Sequence, residues 1–327
     1  MTLKRERQID IANIVLLGIS LVVAIKLPFA LFLFAYAILG PLHYLTEIVW
    51  LKEKNFFSKS KSTPILLIGL SVMLTIVYLL LVYYNSETAS MKKVLLIIYS
   101  SLIVFAIILG SSSIFNLTKK WIIGLISATV LFILLFKDSS IYSLIFASFF
   151  TSIVHVFIFT GAFMLYGARK SKSKLGYLSV ALLFICGISI FFIPINPSDY
   201  SFSKDLREAY NGSKFTILHF QLSQLFYSVD KTNFSLINEI GIKVQAFIAF
   251  IYTYHYLNWF SKTSVIGWHK VSWKWLLFCG IIWASAVGLY FIDYEKGLVT
   301  LFFISLLHVL LEIPLNTKCF VDLFSRK

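Results

Sequence analysis

Charged side chains are scarce in this chain of 327 residues: only 13% are Asp, Glu, Lys or Arg, where soluble proteins average about 25%. Polar stretches longer than roughly 20 residues are also lacking, which excludes a separate water-soluble domain. Cysteine is limited to Cys186, Cys279 and Cys319, which fall in or beside apolar segments and predict no disulfide framework. Glycine fingerprints for flavin or nicotinamide nucleotides are missing, so any reductase would be a separate protein.

Apolar segments of about 20 residues recur along the chain instead, and 59% of the residues are hydrophobic. This pattern predicts an all-α fold, a polytopic transmembrane helical bundle that forms a single integral membrane domain over residues 1–327. Residues 1–9 are too charged for a cleaved signal peptide, so the first apolar segment is expected to remain. The ten predicted crossings are Ile11–Ile25, Pro28–Leu51, Pro64–Tyr84, Val94–Phe115, Trp121–Phe136, Ile141–Tyr166, Leu175–Ile195, Leu236–Phe260, Trp275–Ile292 and Leu298–Leu315.

The loops set the expected topology. If the N-terminus is cytoplasmic, about two thirds of the 29 Lys and Arg residues fall on the cytoplasmic side, and this positive-inside bias predicts that both termini are cytoplasmic, in a bacterial inner membrane. Residues 196–233 then form an extracytoplasmic loop, in which Phe215–Val229 is predicted to be a short interfacial or re-entrant helix. Just beyond it, the opposite charges of Glu239 and Lys243 at i, i+4 spacing predict an intrahelical ion pair.

Four histidines and two glutamates lie well inside predicted crossings, where such groups are costly and usually mark a functional site. The four histidines fall on the second, sixth, eighth and tenth crossings, all of which run towards the cytoplasm. Their distances from the next cytoplasmic basic residue agree within about 10 Å at 1.5 Å per residue, so they are expected to meet in one cavity. The candidate metal ligands are His43, Glu47, His155, His255, His308 and Glu312.

The spacing His-x-x-x-Glu occurs twice, at His43 and at His308, and places each histidine and its glutamate on one face of a helix. Imidazole with carboxylate suits iron, manganese or zinc, and such sites with open positions are typical of oxygen-activating iron. Di-iron bundles usually carry Glu-x-x-His, so the order and spacing here differ. Two arrangements remain open: all six residues hold one or two ions, or four histidines hold one iron while Glu47 and Glu312 accept hydrogen bonds from the free ring N–H groups.

Other polar residues near these positions predict supporting roles. Tyr254 and Asn258 flank His255 and are candidates for hydrogen bonding to the metal ligands. His219 lies in the short apolar segment and predicts local hydrogen bonding or a gate. His269 lies in a predicted loop and is interpreted as an interfacial residue.

A family resemblance rests on the segment Gly40–Glu47, which reads GPLHYLTE. It resembles the Gly-x-Pro-His-Gly-x-x-Asp element of the Brp/Blh family of bacterial membrane β-carotene 15,15'-dioxygenases, with an acidic residue four positions after a histidine that follows a Gly/Pro turn. The resemblance implies a polytopic protein that uses histidine-bound non-haem iron to split a carotenoid into retinal. By this resemblance His43 is a ligand, and His155, His255 and His308 are candidates for the others.

The sequence therefore favours a membrane-embedded non-haem iron oxygenase that uses O₂ on a lipid-soluble substrate such as a carotenoid or a fatty acyl lipid, with a separate electron-donor protein if the reaction requires one. Paired His-x-x-His-His boxes are absent, which disfavours a desaturase of the histidine-box type. A transporter that uses the His/Glu cluster as a proton relay or metal pathway is the alternative. A haem cytochrome is disfavoured because none of the predicted crossings carries two histidines.

Overall fold

The computed structural model describes residues 3–83, 89–115, 123, 126, 127, 130, 153–230, 232–262 and 272–325. Every regular element within these residues is a helix, which confirms the all-α prediction at this level. The chain divides into two compact units. The first unit comprises Met1–His43 with Ser152–Leu298, and the second comprises Tyr44–Thr151 with Val299–Lys327.

The helices follow the apolar segments of the sequence. Short 3₁₀ turns lie at Asn55–Phe57 and Pro197–Asp199, and a π-helical turn at Ala35–Leu39 joins two α-helices. In chain order the α-helices are α1 Leu3–Lys26, α2 Pro28–Phe34, α3 Gly40–Glu53, α4 Ser62–Tyr83, α5 Ala89–Phe115, α6 Thr160–Ser171, α7 Lys174–Ser189, α8 Lys204–Gly212, α9 Phe215–Phe226, α10 Glu239–Ser261, α11 Trp273–Ile292 and α12 Tyr294–Phe324.

Helix α10 forms the centre of the first unit. Its first turn is capped by Asn238, whose side-chain oxygen accepts a hydrogen bond from the backbone N–H of Gly241 at 2.7 Å, satisfying one of the free donors at the helix start. Residues 241–254 of this helix are buried without interruption, because α1, α2, α7 and α9 all pack against it. A helix that is buried on every side can carry polar residues only where each finds a partner.

The second unit has an aliphatic core contributed by α3, α4, α5 and residues 306–313 of α12. Leu67, Leu74, Ile103 and Leu310 are each almost completely buried in it. Helix α12 runs through Pro314 without ending, and Gly110 permits α5 to approach this stretch closely.

Six helices in the described residues are long and apolar enough to cross a membrane. By composition and helix length, the chain therefore has the features of an integral membrane protein. Large apolar side chains such as Ile65, Phe291 and Ile292 point outwards from these helices, as lipid contact requires. The six stretches are Glu6–Lys26, Pro28–Glu53, Ser62–Leu81, Met91–Ile114, Trp273–Ile292 and Tyr294–Phe324.

The remaining predicted crossings have different outcomes. Trp121–Phe136 and most of Ile141–Tyr166 lie largely outside the described residues. The crossing predicted at Leu175–Ile195 corresponds to α7, which has only 16 residues. The crossing predicted at Leu236–Phe260 corresponds to α10, which contains several polar residues and is not among the six helices that are long and apolar enough to span a membrane. The count of ten is therefore not supported, while the membrane class is.

The loop predicted at residues 196–233 contains two short helices. Its polar first half forms the amphipathic helix α8, and its apolar second half forms α9, which has 12 residues. A helix of this length rises only about 18 Å at 1.5 Å per residue and cannot cross a bilayer. A short helix is present where one was predicted at Phe215–Val229, and it ends at Phe226; its interfacial or re-entrant placement stays a prediction.

Candidate metal centre

Three imidazoles meet in the first unit. The Nε2 atoms of His43 and His255 lie 3.1 Å apart, and the ring centres of His155 and His255 lie 5.3 Å apart. His43 and His155 are buried, with 1% and 3% of their surfaces exposed. The prediction that histidines from separate crossings come together is thus fulfilled for these three.

Two π-helical stretches position this group. His43 follows the turn Ala35–Leu39, where the N–H of Gly40 donates to the carbonyl of Ala35, five residues earlier. His155 lies inside a π-helical stretch that covers residues 153–159. Such turns insert an extra residue into a helix and occur often at functional sites, because they redirect the side chains that follow.

Two carboxyl groups meet in the second unit. The side chains of Glu47 and Glu312 are in hydrogen-bond contact, and both residues are buried, at 1% and 5% exposure. The amide of Asn316 donates a hydrogen bond of 3.0 Å to Oε2 of Glu312 and fixes its orientation. Since two ionised carboxylates repel strongly at this distance, the pair needs a proton or a cation between its oxygens.

His308 completes the second unit's group. It lies one helical turn before Glu312 on α12 and is 2% exposed. The ring of Tyr44 stacks on its imidazole, with centres 4.4 Å apart and planes 20° from parallel. Stacking of this kind holds the imidazole plane in one orientation and shields it from water.

Helix α3 carries a member of each group, because His43 and Glu47 lie one turn apart on it. Within the second unit, a ligand atom of Glu47 and one of His308 lie within 4.8 Å of each other. Ligand atoms bound to one ion at about 2.1 Å are at most roughly 4 Å apart, so a small side-chain adjustment would bring these two onto one ion. The described residues therefore contain a buried His/Glu cluster with the geometry of a metal site.

The donor set fits a transition metal of the first row. Neutral imidazole and carboxylate together suit iron, manganese and zinc, whereas thiolate would favour zinc or an iron–sulfur cluster. The contact between the buried carboxyl groups of Glu47 and Glu312 gives a physical reason for a cation, since two buried carboxylates side by side are costly unless a proton or a metal ion neutralises them.

Tyr254 and Asn258, predicted to support the ligands, form hydrogen bonds with Asn13 of α1. The hydroxyl of Tyr254 lies 3.4 Å from Oδ1 of Asn13, and the amide of Asn258 donates to the same oxygen at 2.8 Å. Ser261 donates to that oxygen as well, at 3.0 Å. This network connects α10, the helix that carries His255, to α1.

Two residues that contact the candidate ligands directly, Asn316 and Thr160, were not among the predicted site residues. Asn316 could have been found, because it repeats the i, i+4 spacing after Glu312. Thr160 could not, because its hydroxyl meets Nδ1 of His255, at 2.8 Å, from 95 positions away in the chain. Threonine in an apolar helix gives no signal of its own.

His219 lies apart from these ligands in the first unit. Its Nδ1 is 3.1 Å from the hydroxyl of Tyr210, which in turn donates to Oε1 of Gln245 at 2.6 Å. The amide of Gln245 donates to the carbonyl of Pro28. The prediction of local hydrogen bonding is confirmed, as is the ion pair of Glu239 with Lys243 at 2.7 Å.

Fold and site together define a class: an integral membrane protein with a buried His/carboxylate cluster suited to a metal ion. No protein-family model matches the chain, and neither a curated protein nor a solved structure is significantly similar to it.

Proposed function

We propose that this protein is a membrane-embedded non-haem iron oxygenase that acts on a lipid-soluble substrate such as a carotenoid or a fatty acyl lipid. One or two iron ions would be the cofactor and O₂ the co-substrate. The observation that supports the proposal most is the burial of the His308 imidazole together with the carboxyl groups of Glu47 and Glu312 on helices of an apolar, membrane-type protein. Mixed nitrogen and oxygen ligands are typical of oxygen-activating iron.

Each residue of the cluster has a role that follows from its chemistry. His43, His155, His255 and His308 would supply neutral nitrogen ligands, and Glu47 with Glu312 would neutralise the ion's charge or bridge two ions. When bound, iron supplies the ability to bind and reduce O₂. The surrounding aromatic rings, including Tyr44 on His308 and Trp259 at 5.4 Å from His43, exclude water from the reacting centre.

The remainder of the proposal concerns the membrane and the substrate. The likeness of residues 40–47 to the Brp/Blh element favours a carotenoid among lipid-soluble substrates. We further propose ten crossings with both termini in the cytoplasm of a bacterial inner membrane, from the positive-inside bias. A dioxygenase would need no electron donor, whereas a hydroxylase would need a separate donor protein.

A second function is favoured by one specific contact. The hydrogen-bonded carboxyl groups of Glu47 and Glu312 could share a mobile proton, and intramembrane Glu and His chains serve as proton relays in transporters. On this alternative the protein is a proton- or metal-coupled transporter, in which the imidazoles transfer the proton or the metal ion along the pathway.

Metal content separates the two functions. The full chain would be expressed with iron supplied, purified in detergent and measured by inductively coupled plasma mass spectrometry. We expect one or two equivalents of iron in the wild type and a loss of at least half in both His43→Ala and His308→Ala. His269→Ala, at a residue predicted to lie in a loop, is the matched control and should keep its iron.

Folding of each variant would be followed by size-exclusion chromatography and melting temperature. Folded wild-type protein without metal would refute the iron oxygenase, and proton or metal uptake by the reconstituted protein would then be measured in liposomes. Iron-loaded protein would next be incubated with carotenoids or fatty acyl lipids and ¹⁸O₂. Label in a product would support the oxygenase directly.

A further inference from the structure

The hydroxyl of Thr160 lies between two partners in the first unit. Its Oγ1 is 2.7 Å from the backbone carbonyl of Val156, one turn earlier, and 2.8 Å from Nδ1 of His255. Thr160 is 4% exposed, so water cannot readily replace either partner. The geometry of this pair of contacts limits where the protons can be.

A threonine hydroxyl has one proton and can donate only one hydrogen bond at a time. The carbonyl oxygen of Val156 is purely an acceptor, so a distance of 2.7 Å to it requires that Thr160 donates there. Thr160 must then accept from His255, whose Nδ1 therefore carries the proton. In the neutral ring the other nitrogen, Nε2, is left with its lone pair.

That lone pair points towards the candidate metal site. Nε2 of His255 is 3.1 Å from Nε2 of His43. Two nitrogen ligands that bind one ion at about 2.1 Å are separated by roughly 3.0 to 3.4 Å for octahedral to tetrahedral angles. The observed separation lies in this range, so the ring already presents the correct atom at the correct distance.

We propose that Thr160 is a positioning residue: its hydroxyl fixes the tautomer and the ring orientation of His255 so that Nε2 binds the metal. Groups that accept the free N–H of a metal-bound histidine typically change metal affinity by about 10- to 100-fold when they are removed. The inference rests on the proposed metal site and adds the residue that prepares one of its ligands.

Three variants of the full chain test the role of the hydroxyl. Thr160→Val has nearly the same shape without the hydroxyl, and Thr160→Ser keeps the hydroxyl without the methyl group. Thr253→Val is the matched control, because Thr253 is also buried, lies on the same helix as His255 and has no hydrogen-bond partner for its hydroxyl among the described residues. Affinity for Fe²⁺ and Co²⁺ would be measured by competition with a chromophoric chelator.

We expect Thr160→Val to lose 10- to 100-fold in affinity for both ions, while Thr160→Ser and Thr253→Val stay within about threefold of the wild type. The visible absorption of the Co²⁺ protein should change in Thr160→Val alone, since it reports the ligand set. Melting temperatures of the metal-free proteins show whether each variant is folded.

Wild-type affinity in a folded Thr160→Val variant would overturn the inference, and so would equal losses in the Val and Ser variants, which would indicate packing of the methyl group. If Thr160→Val does not fold, the Ser variant and its Co²⁺ spectrum decide: a wild-type spectrum and affinity support the hydroxyl, and a changed spectrum refutes it. A wild type that binds neither ion would instead refute the proposed function.

Discussion

Glu47 and Glu312 place two acidic groups in contact where little of either residue is exposed. Such a pair is unfavourable for folding when no ion is present, because a buried charge loses its hydration and meets a like charge. The presence of this pair beside His308 is consistent with a functional requirement that opposes stability. Replacement of one carboxylate by its amide separates these two effects.

We expect Glu312→Gln to raise or leave unchanged the melting temperature of the metal-free protein, while metal affinity falls at least tenfold. The glutamine amide can donate to Glu47 and its oxygen can still accept from Asn316, so the hydrogen bonds persist without the second charge. Glu239→Gln is the control, because it also removes a carboxylate, which is 54% exposed and paired with Lys243. A clear drop in the melting temperature of metal-free Glu312→Gln would contradict this reasoning.

The burial of His219 makes the stability of the protein depend on pH, independently of the Glu47–Glu312 pair. Burial lowers the pKa of His219 to about 3, although contact with the backbone of Gly241 opposes the shift. In the unfolded chain a histidine titrates near pH 6.5. The native state therefore binds fewer protons than the unfolded state between these values, and the contribution of the neutral ring is complete above about pH 6.5 and is lost as the pH falls towards 3.

We expect the melting temperature of the wild type to fall more steeply between pH 6.5 and 4.5 than that of His219→Gln. One such group changes the free energy of unfolding by up to about 1.4 kcal/mol per pH unit. Thermal unfolding in detergent at several pH values measures the difference. Parallel pH profiles for the two proteins would show that His219 becomes protonated without disturbing its contacts with Tyr210.

At the scale of the helices, the approach of α5 to α12 determines where Glu312 lies within the second unit. A Cβ atom on Gly110 would lie 2.5 Å from Cγ2 and 2.8 Å from Cβ of Ile313. Ser111 and Thr317 add a hydroxyl–hydroxyl contact of 3.0 Å one turn further on. Only glycine permits this distance, and Ile313 is β-branched and cannot rotate away at low cost.

Gly110→Ala should therefore destabilise the protein by about 1–3 kcal/mol, the usual cost of an overpacked contact, and weaken metal binding by displacing Glu312. Gly69→Ala on α4 is the matched control, because its added Cβ would meet nothing within 4 Å. Alanine there should be neutral or stabilising by about 0.5–1 kcal/mol, since it favours helix more than glycine does. Equal melting temperatures for the two variants would show that α12 shifts freely.

At the scale of the whole molecule, the surface and the charge distribution are those of a membrane protein. Apolar side chains are exposed along helices of membrane-spanning length, which in water would lead to aggregation. On the proposed topology, basic residues concentrate in the loops that face the cytoplasm, which is how orientation is set during insertion.

The proposed topology predicts the outcome of reporter fusions. Green fluorescent protein fused after residue 327 should fluoresce, and alkaline phosphatase at the same place should be inactive, because the C-terminus is expected in the cytoplasm. Phosphatase fused after Ser201, in the extracytoplasmic loop, should be active. An active phosphatase at the C-terminus would refute the even number of crossings.

Several features follow from the sequence by itself because they depend on local physics. Apolar runs determine helices, and the spacing of His308 and Glu312 on one helix determines that they share a face. The short helix at residues 215–226 and the ion pair of Glu239 with Lys243 are local in the same sense. Even the meeting of His43, His155 and His255 was predictable, because buried titratable groups are costly unless they find one another.

Tertiary structure decided what depends on contacts between distant segments. Helix α10 carries polar residues such as Lys243, Gln245 and Asn258 among its apolar ones and is nevertheless buried at the centre of the first unit, because four other helices pack against it. The contact of Thr160 with His255 joins residues 95 positions apart. The two π-helical stretches that orient His43 and His155 correspond to no recognisable hydrophobic pattern in the sequence. Which atom of a histidine faces its neighbour is determined by such contacts, because a hydroxyl must be brought to the ring before it can select one tautomer.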